Sequence, residues 1–147
     1  MKIVTGMAFV FVVAGSAYGQ EEYYPLKEGH VWTYKGDAKV DKIVVRVKAK
    51  EKIGEVECFK VVAEDSFGED AVWLSVTKDG VQRHKSHVKQ KSGMKLDKVL
   101  DEEDIYNPPI TILKFPLKAG ETWESKHTIT AGEASMEVRW TYKIDKE

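Results

Sequence analysis

The chain has 147 residues, 42% hydrophobic, 32% charged and 10% aromatic, with 23 Lys and Arg against 24 Asp and Glu. A formal charge of -1 argues against a nucleic-acid partner, because phosphate binding depends on a basic surplus gathered on one face. Eleven Gly, four Pro and interspersed charges of both signs exclude collagen-like, low-complexity and disordered chains, which leaves one packed domain.

Met1-Lys2 forms a positive start, Ile3 to Ala14 an apolar run, and Ala17-Tyr18-Gly19 a small-x-small site before Gln20. That order reads as a signal peptide over residues 1–19, with residues 20–147 as a single β domain. The run is too short for a comfortable membrane span, and Gln20 stands where a lipoprotein needs Cys. The expectation is an exported protein, periplasmic or secreted, without stable membrane insertion after cleavage. Cys58 is the sole cysteine, so no internal disulfide forms, and its place in Val56 to Val61 reads as a buried strand position.

Strand signals dominate the rest. Val45, Val47 and Ala49 alternate with Arg46, Lys48 and Lys50, and Val72, Leu74 and Val76 alternate with Trp73 and Ser75. Met136, Val138, Trp140, Tyr142 and Ile144 alternate with Glu137, Arg139, Thr141 and Lys143, as a sheet with one wet face requires. Ile110 to Leu113 is a shorter buried strand. Gly54, Gly68, Gly80 and Gly132 sit in turn-like contexts between these runs. The segment from Ser86 to Asn107 is polar, and within it Met94 to Tyr106 reads as a short helix or a loop stopped by Pro108-Pro109.

Pro25 to Lys35 matches Pro116 to Lys126 at a constant offset of 91, with six of eleven positions identical: Pro, Leu, Lys, Gly, Trp and the final Lys. Pro fixes φ, Gly permits a tight turn and Trp opens a strand with a large buried face, so each copy reads as a lead-in turn delivering a strand. Two related β units are therefore expected, the second one strand shorter than the first.

These motifs, together with Glu57-Cys58-Phe59-Lys60-Val61, Lys78-Asp79-Gly80-Val81 and Pro108-Pro109, resemble a group of small exported bacterial β-rich proteins carrying a repeated YxPLKxGxxW-type motif. The likeness spans most of the chain after residue 19. It implies an exported β-rich fold and no particular chemistry. Similar chains continue past the last alternating strand, which raises the question of completeness at Glu147.

No motif for chemistry stands out. His84 and His87 are three apart in a strand-like context, where they point to opposite faces, so they make a poor metal pair. His30 and His127 flank the two motif copies. Asp101 to Asp104 lacks the spacing and internal Gly of a calcium loop and reads as a solvated acidic face. A Gly-x-Ser-x-Gly elbow and a phosphate-binding loop are absent from the sequence, so neither catalytic residues nor a metal or cofactor is assigned.

The aromatic residues remain. Trp32 and Tyr34 share one strand face, Trp140 and Tyr142 share another, and Trp73 and Trp123 add two more rings. They either fill a core or line a cavity for an apolar ligand. The resulting expectation is an all-β protein, an antiparallel twisted sheet curling into a barrel-like or clam-like form, that binds an apolar small molecule or an envelope protein without catalysis. The alternative is a structural or protein-interaction module that docks a partner strand on a sheet edge.

Overall fold

The computed structural model describes residues 26–35, 42–91, 99–131 and 134–145. Every regular element among them is a strand: β1 (Val31–Lys35), β2 (Lys42–Ile53), β3 (Val56–Glu64), β4 (Gly68–Thr77), β5 (Gly80–Lys91), β6 (Val99–Lys114), β7 (Thr122–Ala131) and β8 (Ala134–Lys143). Strands β1 to β6 form one antiparallel sheet in chain order, and β7 and β8 form a separate antiparallel ribbon. The sheet does not close into a barrel. The ribbon instead lies along one face of it, in a clam-like arrangement. Residues 1–19, read from sequence as a signal peptide, and the helical expectation's first residues, 94–98, lie outside the described residues.

Alternation explains why β4 is central. Ala71 and Trp73 join Cys58 and Val62 in one buried cluster, while Leu74 joins Val47, Val61, Val81 and Phe115 in another on the opposite face. Successive side chains of a strand point to opposite faces, so adjacent Val61 and Val62 serve different clusters. Burying a side chain such as Leu74 contributes roughly 1.5–3 kcal/mol. Cys58 is fully buried on the second face, where desolvation raises its thiol pKa and makes it an inert core residue.

The expected helix or loop before Pro108 is instead the first half of β6, from Val99 to Tyr106. The acidic run belongs there because β5 supplies its partners. Lys85 reaches Glu103 at 2.9 Å, and His87 Nε2 reaches Asp101 at 2.6 Å. Such cross-strand pairing leaves no trace in the periodicity of one segment.

A bulge in β5 produces a second departure from expectation. Trp73 pairs with Lys85 and Leu74 pairs with Arg83, which leaves His84 as the additional residue. His84 bonds Ser75, and His87 lies opposite Ala71, so both histidines stand on the face of Ala71, Trp73 and Ser75. Regular alternation had put them on opposite faces. They remain separate, since His84 bonds Ser75 and His87 bonds Asp101.

The matching segments fold into the same turn. Gly29 and Gly120 have φ of 85° and 80°, and the His30 and Glu121 N–H groups donate back to the Lys27 and Lys118 carbonyls, each at 3.0 Å. Gly29 donates to Val47 and Gly120 to Ile144, while Val47 and Ile144 return bonds to His30 and Glu121. Trp32 then pairs with Val45, as Trp123 pairs with Tyr142. Leu26 and Leu117 pack on the same core cluster. An added Cβ at either Gly meets nothing within 4 Å, so Gly29→Ala and Gly120→Ala report backbone strain alone. Each is expected to lower unfolding free energy by about 1–2 kcal/mol in a urea titration, with similar values at the two sites.

Candidate binding site

The ribbon is amphipathic. Trp123, Ser125 and His127 on β7 pair with Tyr142, Trp140 and Val138 on β8, and all six are buried or half-buried, whereas Glu124, Lys126, Glu137, Arg139 and Lys143 are exposed. The inner side chains meet a line across the sheet. Leu74 pairs with Arg83 and Arg83 with Ile110, so all three project to the face that the ribbon covers. Tyr106, Ile110, Tyr142, Trp123 and Trp140 form one cluster there.

Its rings are closely arranged. Trp123 stacks on Tyr142 with centroids 5.4 Å apart, and Trp140 lies 6.4 Å beyond. The His127 ring meets Tyr106 edge-on at 5.0 Å and approaches Trp140 at 6.1 Å. The Arg83 guanidinium carbon is 6.0 Å from the Trp140 ring centroid. The Trp123 indole N–H donates to the Thr111 carbonyl at 2.9 Å, and the Tyr106 hydroxyl bonds the Ser86 hydroxyl at 2.6 Å.

Five buried polar atoms in this seam have no protein partner: Arg83 Nε, both His127 ring nitrogens, Trp140 Nε1 and the Tyr142 hydroxyl. Leaving a buried donor or acceptor unpaired costs about 1–3 kcal/mol per group. The seam therefore concentrates unpaired polar groups between the sheet and the ribbon. Burial, then the Arg83 charge, lowers the pKa of His127 from its usual 6.5, with Asp104 pulling the other way. Burial raises the Tyr142 phenol above 10, against the pull of Arg83. The imidazole and phenol are therefore both neutral near pH 7.

Three of the six aromatic residues singled out from sequence, Trp123, Trp140 and Tyr142, come together in this seam. Trp32 packs instead on the neighbouring core cluster, with His30 edge-on at 6.0 Å, and Tyr34 is half-buried two residues along β1. Trp73 is on the opposite face and only 3% exposed. Its indole N–H donates to Glu51 at 2.7 Å, and Lys60 and Lys85 lie 5.0 and 4.6 Å from its ring centroid. His30 and His127 occupy different clusters. Among the described residues no group of three or more His, Cys, Asp or Glu is placed to hold a metal ion.

Arg83, Tyr106 and His127 complete the site without having been selected from sequence. His127 carried a usable signal, since it continues the inward alternation of Trp123 and Ser125. Arg83 shares the face of Val81 by simple alternation, but only the tertiary structure brings the ribbon over that face. Trp123 also borders a groove of about 330 Å³, lined by Thr77, Asp79, Gly80, Gln82, Thr111, Lys114 and Glu124 as well. No protein-family model, curated protein or solved structure matches the chain.

Two solution measurements follow from these surroundings. In the unfolded chain His127 takes up a proton near pH 6.5, before the folded chain does, so protonation favours unfolding. Stability is expected to be greatest above this value and to fall as pH drops through and below it. His127→Phe should remove part of that slope, while buried His84 retains its share. Tyr142→Phe keeps the ring and deletes an unpartnered hydroxyl, so urea unfolding should show unchanged stability or a gain of up to about 1 kcal/mol.

Proposed function

We propose that the protein is an exported, non-enzymatic binding protein whose ligand is an amphipathic small molecule, apolar in its body and carboxylate at its head. Residues 1–19 support export through their charge, apolar run and small-x-small site. The seam between the ribbon and β5–β6 supports the binding reading. The observation that carries it is the convergence of five unpartnered polar atoms among aromatic rings.

The chemistry of those atoms selects the head group. Arg83 Nε and Trp140 Nε1 donate, the Tyr142 hydroxyl donates or accepts, and a neutral His127 donates from one nitrogen and accepts at the other. Donors outnumber obligatory acceptors, which favours an oxygen-rich group over an amine. Arg83 supplies the positive charge that a carboxylate requires, in a setting where charge-assisted bonds are stronger than in water. Trp123, Trp140 and Tyr142 offer flat apolar surface to the body. Entry into the seam displaces the ribbon, which the Trp123 to Thr111 bond ties to β6.

Tryptophan fluorescence titrations with decanoate and decanol test this reading. Decanoate is expected to give a saturable change, and decanol a much weaker one. Arg83→Met should weaken decanoate binding by about 10-fold or more, the equivalent of a lost charge-assisted bond. Equal binding of the two compounds, or no saturable response to decanoate, would overturn the proposal.

A further inference from the structure

Four strands have an open edge, β1 and β6 in the sheet and β7 and β8 in the ribbon, and they handle it differently, β7 lying against β6 where the Trp123 indole donates to the Thr111 carbonyl. An unpaired edge offers N–H and C=O groups to any passing strand, and proteins protect such edges by shortness, Pro, bulges or charge. β1 has only five residues. β6 carries Pro108, Pro109 and the run Asp101 to Asp104, and its pairing with β5 is interrupted by register shifts. β8 is neither short nor interrupted by Pro or a bulge, and its exposed charges are of both signs, so they do not repel a matching strand. It runs ten residues from Ala134 to Lys143 without Pro or Gly, and its ladder with β7 is continuous from Thr122↔Lys143 to Ala131↔Ala134. Among the described residues no strand pairs with its outer edge.

The bonds of Ile144 show which backbone groups face outward. Ile144 directs its N–H to Glu121 and its C=O to Gly120, toward the β7 side. Antiparallel alternation then turns Tyr142, Trp140, Val138 and Met136 toward β7, and leaves Ser135, Glu137, Arg139 and Thr141 with N–H and C=O groups aimed at the open edge. Glu137 and Arg139 are thus both edge-bonding positions, with exposed side chains of opposite sign two residues apart.

We infer that β8 pairs antiparallel with β8 of a second copy of this chain, joining two ribbons into a four-stranded sheet. Charge fixes the register. Placing Val138 opposite Val138 of the second copy sets Glu137 against Arg139 twice, once on each side of the two-fold axis. A shift of one residue per chain sets Arg139 against Arg139, or Glu137 against Glu137, and like charges directly opposite destabilise a pair. The same register brings Met136 opposite Trp140 of the second copy. Met136 is 46% exposed although it has the parity of the inward-facing Val138 and Trp140, so pairing covers a large exposed apolar side chain at the edge.

Sedimentation velocity on the purified protein, with charge reversals at these two exposed positions, tests the interface. The wild-type chain is expected at twice the chain mass at high concentration and to dissociate on dilution. Glu137→Arg and Arg139→Glu should each weaken association at least ~10-fold, because each creates two like-charge contacts per dimer. The double exchange should restore it. Arg139 also lies 4.0 Å from Glu124, so agreement between the two single variants separates the interface from that local contact. Thr141→Pro removes an outward N–H without touching the β7 ladder and should also yield monomer. A wild-type monomer at the highest soluble concentration, a dimer indifferent to the single reversals, or no recovery in the double variant would each overturn the inference.

Discussion

One face of the six-stranded sheet carries Val47, Val61, Leu74 and Val81 through to Ile110, and that surface has to leave water for the chain to fold. Three pieces cover it. Leu26 and Leu117, delivered by two turns of identical hydrogen bonding, reach the same cluster, and the β7–β8 ribbon closes the end nearest β6. The other face needs less cover, because Trp73 shields it from within the sheet. Its ring is flanked by Lys60 and Lys85, whose ammonium groups are in turn held by Glu51 and Glu103. The apolar stems of such lysines add cover while their charged ends stay wet.

The bulge at His84 decides the electrostatics of the covered face. With uninterrupted alternation Val81, Arg83 and Lys85 would share it. The additional residue sends Lys85 to the Trp73 side, leaving Arg83 as the cation that meets the ribbon. One guanidinium among five aromatic or imidazole rings polarises the seam without flooding it with charge, and the same burial keeps His127 and Tyr142 neutral. The resulting cluster is expensive for a purely structural core, since replacing its polar atoms by apolar ones of the same shape would relieve the unpaired groups.

Legibility in the sequence followed burial. The alternating run ending at Ile144 predicted the inner and outer sides of β8 correctly, with Met136 the one exposed apolar member. The matched Gly29 and Gly120 predicted two turns because positive φ is a local property. Asp101 to Asp104 misled for the opposite reason. Four consecutive acids have no period, and only the lysine and histidine of the adjacent strand make them a strand edge. Trp73 and Trp123 looked alike as large rings in strands, yet one is held within a charged face and the other stands at the seam.

By itself, the sequence determined the all-β character, the turns near Gly54, Gly68 and Gly80, the buried state of Cys58 and the two-sidedness of the last strand, all of which arise from backbone preference and period-two burial over a few residues, while the turn expected at Gly132 lies outside the described residues. Only the tertiary structure decided that the sheet stays open, that Arg83 faces the ribbon while Lys85 does not, and that His127 joins Trp140 and Tyr142. Those outcomes depend on register, and a single additional residue in one strand exchanges the faces of everything after it. A composition of average charge and length thus conceals a polar seam that exists only once β5, β6 and the ribbon are aligned.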